Sequence, residues 1–220
     1  MGKLIVIEGI DGSGKSTQYA KLKTRLEDEG RAFRSLVFPR YDKPSSALIR
    51  MYLGGEFGSD PDAVNAFAAS SFYSVDRYAS YKTEWEEYYR AGGVLLSDRY
   101  TTSNAVHQGA KVPDGERAAY FSWLEDFEFV RLGLPRPDKV IYLSVDVETS
   151  MRQMKARQEN TGTRGDIHET HAEYLKSCIE AGISACEHYG WTKIDCVRGG
   201  AMRSVGDIHE EIYSAVSNLF

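Results

Sequence analysis

The chain has little that would tie it to an oxidising compartment, a membrane or a nucleic acid. Its three cysteines are an odd number without close metal-ligand spacing, so we interpret Cys178, Cys186 and Cys196 as reduced thiols of a cytoplasmic protein. No apolar run is long enough to span a bilayer, and the first strand begins so early that we expect no signal peptide. A net charge of −5 argues against a dedicated nucleic-acid partner.

Low-complexity segments and internal repeats are also absent, and we expect one domain over residues 1–220. Short apolar runs predict strands, which alternate with helical patterns. The predicted strands cover residues 3–8, 33–38, 94–97, 139–143 and 192–197. One predicted helix follows the first strand. The other predicted helices cover residues 45–53, 61–91, 114–132, 147–158, 168–189 and 205–219. This alternation predicts a three-layer α/β/α fold with a five-stranded parallel sheet and helices on both faces.

The first predicted strand runs into the pattern G-x-x-x-x-G-K-[ST], followed by a helical segment. Strand, glycine-rich turn and helix in this order are typical of the P-loop NTPase fold. Its backbone N–H groups and helix N-terminus would bind phosphate, Lys15 would reach the β- and γ-phosphates, and the Ser16 hydroxyl would ligate Mg²⁺. The residues expected to bind ATP are Gly9, Asp11, Gly12, Ser13, Gly14, Lys15, Ser16 and Thr17.

The third predicted strand ends in an acidic and a basic residue. Carboxyl ends of parallel strands meet at the ligand-binding edge of such sheets. Asp98 therefore becomes a second candidate ligand of Mg²⁺, and Arg99 a candidate phosphate clamp. A surface ion pair is the plainer interpretation of the same two residues.

Taken together, these motifs resemble the thymidylate kinase family of P-loop nucleoside monophosphate kinases over nearly the full length. The resemblance rests on the order and spacing of four segments: the P-loop at 8–17, Phe38-Pro39, the segment at 72–77, and Asp98-Arg99-Tyr100 with Ser103-Asn104. It implies an acceptor site for thymidine monophosphate. The residues implied are Asp11, Phe38, Pro39, Tyr73, Arg77, Arg99, Ser103, Asn104 and Gln108.

Within that site the resemblance implies that Tyr73 stacks on the base and Arg77 hydrogen-bonds its edge. Spacing agrees, because residues four apart share one helix face. A core role for Tyr73 is the alternative. His107 stands where family members often carry a tyrosine that disfavours ribose, which leaves sugar selectivity open.

The basic segment at 152–166 has turn composition around residues 160–166 and corresponds to the lid of the family. Some members carry a catalytic arginine in the P-loop, where this chain has Gly12. We therefore expect the lid to supply the catalytic cation, from Arg157 or Arg164. Arg152 and Lys155 also fit a solvated helix face.

The resemblance thus implies Mg²⁺-assisted phosphoryl transfer from ATP to thymidine monophosphate, with Lys15, Arg99, Asp11 and the lid arginines as catalytic residues, in a homodimer. A deoxynucleoside kinase is one alternative, although a carboxylate does not directly follow strand two; Asp42 is the nearest. A P-loop switch protein is another, but the chain has neither an Asn-Lys-x-Asp guanine reader nor an Asp-x-x-Gly after the P-loop. A nucleotide-binding domain without catalysis is the third.

Overall fold

Strand β1, Lys3–Gly9, forms the centre of the sheet in the computed structural model, which describes residues 1–58, 60–161 and 172–220. Its side chains alternate between two cores. Leu4 and Val6 pack in one, and Ile5 and Ile7 in the other, all fully buried. A strand buried on both faces needs helices on both sides, which is why its sequence is an unbroken apolar run.

The other strands of this sheet are β2 (Arg34–Val37), β3 (Val94–Asp98), β4 (Lys139–Ser144) and β5 (Thr192–Asp195). All four pairings are parallel, in the order β2-β3-β1-β4-β5. Ile7 of β1 lies beside Asp98 of β3, so the ends of these strands and the P-loop meet at one edge. The predicted five-stranded parallel sheet is confirmed.

Helices cover both faces. The core of Ile5 and Ile7 is completed by apolar residues of α1, α8 and α9, and the core of Leu4 and Val6 by Tyr81, Trp85 and Tyr89. The helices are α1 (Lys15–Asp28), α2 (Ala47–Leu53), α3 (Ala66–Ser80), α4 (Glu86–Arg90), α5 (Thr101–Ser103), α6 (Asp114–Glu125), α7 (Val147–Thr161), α8 (Ala172–Tyr189) and α9 (Val205–Val216). The predicted three-layer arrangement is therefore also confirmed.

The long helix predicted over 61–91 is interrupted. Pro61–Ala63 is a separate 3-10 turn, and the Asn65 side chain accepts a hydrogen bond from the Ala68 amide to start α3. A π-helical turn, Tyr81–Trp85, then separates α3 from α4. Helical periodicity is similar on both sides of such breaks, so the prediction was wrong about continuity.

Other predicted elements also end elsewhere. The helix expected over 114–132 is α6 followed by a π-helical turn, Asp126–Arg131. The fifth strand was expected to reach residue 197 but ends at Asp195. The chain then forms a hairpin of β6 (Val197–Arg198) and β7 (Ala201–Met202).

Two glycines with positive φ, Gly199 at 60° and Gly200 at 75°, form the turn of that hairpin. Consecutive residues with positive φ are the requirement of a type I′ turn, and a Gly-Gly pair meets it without strain. The Gly-Gly pair is the sequence signal from which this hairpin could have been predicted.

Within the described part of the chain, every helix is too short or too polar to span a lipid bilayer.

Candidate active site

The P-loop connects β1 to α1 and depends on its glycines. Gly12 and Gly14 have φ of 76° and 83°, values that disfavour any residue with a Cβ. Helix α1 begins after Gly14 without a side-chain cap. Its first amides are therefore oriented to bind an anion, which is the geometry a phosphate group requires.

Gly12 is also required by the close approach of α7. A Cβ at Gly12 would lie 2.4 Å from the carbonyl oxygen of Ser150. The Ser150 hydroxyl donates to the Asp11 carbonyl oxygen at 2.7 Å, which holds α7 against the loop. An arginine at this P-loop position is therefore excluded by packing in this chain.

Lys15 and Asp98 form an ion pair beside the P-loop. The Lys15 ammonium lies 2.9 Å from an Asp98 carboxylate oxygen, and the side chains are only 7% and 14% exposed. Ser16 lies in the first turn of α1 and is exposed to solvent. The arrangement thus offers a cation and two oxygen-bearing side chains around the helix N-terminus.

Arg99 follows β3 with φ of 66°, which is uncommon for a residue with a side chain. Its guanidinium lies 3.0 Å from Asp11, 2.9 Å from His107 Nε2 and 3.8 Å from Glu8. Burial acts to lower the pKa of Arg99, but the carboxylates of Asp11, Glu8 and Asp98 outweigh it and raise that pKa. Strained residues of this kind cluster at functional sites.

Asp11 sits where these charges meet. Burial of its carboxyl acts to raise the pKa, but neighbouring basic side chains outweigh burial and hold that pKa below its usual value. In order of influence these are Arg99, His107, Lys15 and Arg157. Asp11 therefore stays ionised and acts as an anchor for cations.

A cavity of about 250 Å³ adjoins this cluster. It brings together all nine residues implied as the acceptor site, from Asp11 to Gln108. Five further residues, which the resemblance did not imply as acceptor-site residues, also line the cavity. These are Tyr41, Leu53, Tyr100, His107 and Tyr174.

Aromatic side chains form one wall of the cavity. Phe38, followed by a cis peptide to Pro39, lies with its ring centroid 6.0 Å from that of Tyr100. Behind Tyr100, the ring of the buried Trp85 lies at 6.5 Å. The segment after Pro39 is fixed to α3, because the Arg40 backbone amide donates to buried Asp76 at 2.9 Å.

Arg77 reaches the cavity but is not extended into it. Arg77 is only 2% exposed, and its guanidinium is paired with the fully buried carboxylate of Glu128. Sequence reasoning missed Glu128, which lies 51 positions away on the π-helical turn. A buried carboxylate that pairs with an arginine 51 positions away leaves no local sequence signal.

Among the described residues, four buried side-chain polar atoms have no hydrogen-bond partner, and two of them lie at this site: Ser13 Oγ in the P-loop and Gln108 Oε1 at the cavity. Buried polar groups are usually paired, so an unpaired one at a cavity is available to a ligand. By contrast, the Ser103 hydroxyl is occupied, since it donates to Glu8 at 2.6 Å.

The opposite side of the P-loop faces the β6–β7 hairpin and α7. The methyl carbon of Met202 lies 3.2 Å from where a Gly14 Cβ would stand. Arg157 is exposed on α7, while Arg164 lies outside the described residues.

A parallel sheet with a P-loop after β1, and a cavity lined by polar and aromatic side chains beside that loop, is typical of the class of P-loop nucleotide kinases. The family model described as thymidylate kinase matches residues 7–211. The chain belongs to the thymidylate kinase family, which confirms the resemblance drawn from its motifs.

Individual relatives agree. The thymidylate kinase of Mycobacterium tuberculosis is 34% identical over 190 residues, covering 86% of this chain and 87% of the relative. The probable thymidylate kinase of Thermococcus gammatolerans is 30% identical over 219 residues, covering 98% and 96%. The solved thymidylate kinase of Candida albicans superimposes with a TM-score of 0.71 at 21% identity, covering 99% of this chain and 92% of that one, and supports the fold.

Proposed function

We propose that the chain transfers the γ-phosphoryl group of ATP to the phosphate of thymidine monophosphate, giving thymidine diphosphate for dTTP synthesis. The observation that carries this proposal is the position of Asp11 and Arg99. Both line the acceptor cavity, and Asp11 is itself a P-loop residue, so a phosphate held by Arg99 would face the donor phosphates. Such alignment supplies most of the catalysis in phosphoryl transfer.

The donor side would bind through the P-loop amides and Lys15. Asp98 and Ser16 present oxygen donors, which suit Mg²⁺, and we propose them as its protein ligands. When bound, Mg²⁺ neutralises charge on the phosphates. Met202 lies beside Gly14 and adds an apolar contact to this side.

On the acceptor side, Arg99 would hold the phosphate of thymidine monophosphate and Phe38 would wall the base. A phosphate monoester is largely ionised near pH 7, so the reaction needs no general base. Asp11 fits this scheme, since its lowered pKa makes it a weak base.

We propose Arg157 as a cation for the transition state, with Arg164 as the second candidate. Gly12 cannot be replaced by arginine without a clash with Ser150, so the cation must come from another segment. Arg157 lies close enough to lower the pKa of Asp11, which supports a position near the transferred group.

The nucleoside-kinase alternative needs a carboxylate beside the acceptor hydroxyl. Asp42, the nearest after β2, is 75% exposed, pairs with Lys43 and does not line the cavity. A carboxylate in that position is badly placed to deprotonate an acceptor in the cavity.

A coupled assay of ADP release with a panel of nucleotides and nucleosides tests the proposal. We expect thymidine monophosphate to be the best acceptor, and Lys15→Ala, which retains the fold, to abolish the signal. Faster turnover of thymidine than of its monophosphate would instead assign a nucleoside kinase.

We further propose that the enzyme is a homodimer. Phe67, Val75 and Tyr78 are 46%, 51% and 41% exposed on α3, and their spacing puts them on one helix face. Sedimentation equilibrium of the wild type and of Val75→Glu tests this pairing.

A further inference from the structure

Glu128 is a fully buried carboxylate that does not line the acceptor cavity but contacts two residues that do. It lies on the π-helical turn after α6, and its carboxylate contacts residues of α3 and α5. Each of its hydrogen-bond partners among the described residues donates to the carboxylate. They are Arg77 Nε at 2.7 Å and Nη2, Ser74 Oγ at 2.9 Å, Thr101 Oγ1 at 2.7 Å and Asn104 Nδ2 at 3.1 Å.

Glu128 determines which edge of the Arg77 guanidinium is available. The carboxylate takes Nε and Nη2 together, in a paired geometry that fixes the guanidinium plane. The remaining nitrogen, Nη1, has a single long contact of 3.4 Å to the Tyr100 carbonyl oxygen. Arg77 therefore offers the cavity hydrogen-bond donors in one fixed direction.

The same carboxylate determines which way the Asn104 amide points. The Asn104 nitrogen donates to Glu128 at 3.1 Å and to the Ser70 carbonyl oxygen at 3.2 Å. Both partners accept hydrogen bonds, so a flipped amide would place its oxygen against two other oxygens. The amide oxygen is thus left for the cavity, as an acceptor.

We infer that Glu128 is a positioning residue that sets the base specificity of the acceptor site, an inference that rests on the proposed function. A donor from Arg77 beside an acceptor from Asn104 matches a pyrimidine with a carbonyl oxygen at position 4 and an N–H at position 3. Thymine presents that edge. Cytosine presents the reverse, an amino group at position 4 and an acceptor at position 3, and is rejected because like groups meet.

The variant Glu128→Gln keeps the shape but brings an amide that both donates and accepts. Asn104 can then flip, and Arg77 loses its paired partner. We expect the ratio of kcat/KM for thymidine monophosphate over deoxycytidine monophosphate to fall at least about tenfold, the size of one base-reading contact. The KM for ATP should change less than about threefold, since the donor side is separate.

Glu125→Gln is the matched control, because Glu125 lies three residues earlier and pairs only with Arg136 in the described ion pairs. Its ratio should equal that of the wild type. A loss of folded protein lowers both acceptor rates equally, so a purely structural role for Glu128 would lower its melting temperature without changing the ratio.

If Glu128→Gln does not fold, Thr101→Val removes a single donor to Glu128, and the ratio should fall in the same direction by about threefold or more. An unchanged ratio in whichever variant folds overturns the inference. A wild type that does not phosphorylate thymidine monophosphate overturns the proposed function itself, which is a separate outcome of the same assay.

Discussion

Arg99 combines backbone strain with a concentration of charge. Its left-handed φ of 66° turns the side chain back toward Asp11 and Glu8, at the point where β3 ends beside the P-loop. Such a conformation costs about 1–3 kcal/mol and persists only where the surroundings enforce it. The surrounding carboxylates supply that enforcement and keep the guanidinium ready to bind an anion.

Replacing Arg99 by alanine should therefore impair use of the acceptor. In the proposed function Arg99 holds the acceptor phosphate by a charge-assisted contact. The variant would lose that contact, so its KM for thymidine monophosphate should rise at least about tenfold. The KM for ATP should stay within about threefold of the wild type. Steady-state kinetics with each substrate varied in turn measures both constants.

Arg136→Ala is the control, since Arg136 is 54% exposed and pairs with Glu125 on the surface. Its constants should match those of the wild type. An effect of Arg99→Ala confined to the ATP constant would place Arg99 on the donor side.

At this scale, local motifs predicted which residues line the cavity but not how they are held. Tyr73 and Arg77 could be expected together because they lie one helical turn apart. The pairing of Arg77 with Glu128 could not, because it joins segments 51 positions apart. The position of Tyr174 at the cavity could not be expected for a similar reason, since Tyr174 belongs to α8 and lies far along the chain from the P-loop.

Among the elements, α7 and the P-loop are in close contact. The Ser150 carbonyl occupies the space that a Gly12 side chain would need. Sequence patterns predicted both elements with nearly correct bounds, but the contact between them depends on how α7 leaves β4. Element ends set by capping or by π-helical turns, as at Asn65 and Tyr81, were the least predictable.

We expect Gly12→Ala to be strongly destabilising and nearly inactive. Alanine at φ of 76° is strained by about 1–2 kcal/mol, and its Cβ would also displace α7 from the loop. Chemical denaturation gives the free energy of unfolding, and turnover reports on the loop.

Gly30→Ala isolates the contribution of the contact. Gly30 has a similar φ of 67°, but apart from its chain neighbours no atom of the described residues lies within 4 Å of its added Cβ. It should lose about 1 kcal/mol of stability and keep its turnover. Equal losses in both variants would show that α7 does not constrain the loop.

At the scale of the whole molecule, Lys111 joins α2 to the segment before α3, and neither of these belongs to the sheet. Its ammonium donates to the Tyr52 hydroxyl at 2.6 Å and to the Val64 carbonyl oxygen at 3.0 Å. Burial lowers its pKa from 10.5 to about 8, although Asp62, Cys178 and Asp60 act in the opposite direction. The protonated form is thus less favoured in the folded state than in the unfolded chain.

The sign of the pH dependence follows. Between pH 8 and 10.5 the unfolded lysine binds more protons than the folded one, so Lys111 makes stability rise with pH in this window. The three buried thiols act oppositely, because burial raises the pKa of each to about 12. Only a comparison with a variant separates the two effects.

Lys111→Met provides that comparison. The free energy of unfolding of the wild type, minus that of the variant, should be larger at pH 9.5 than at pH 7.5. Urea denaturation at both pH values measures the difference. The contributions of Cys186 and Cys196 cancel, because both proteins contain these thiols and Lys111 is not among the groups that shift their pKa values. A difference that stays constant with pH would contradict the lowered pKa.

The aromatic wall of the cavity has an optical consequence. The chain has three tryptophans. Trp123 stacks on Phe127 and Trp191 on Tyr189, while Trp85 lies directly behind Tyr100 and donates its indole N–H to Ser80. Trp85 is 1% exposed, so its emission does not depend on contact with solvent. We therefore expect a nucleotide that shifts Tyr100 or Phe38 to change the fluorescence of Trp85 without touching it, which would make this tryptophan a built-in reporter of acceptor occupancy.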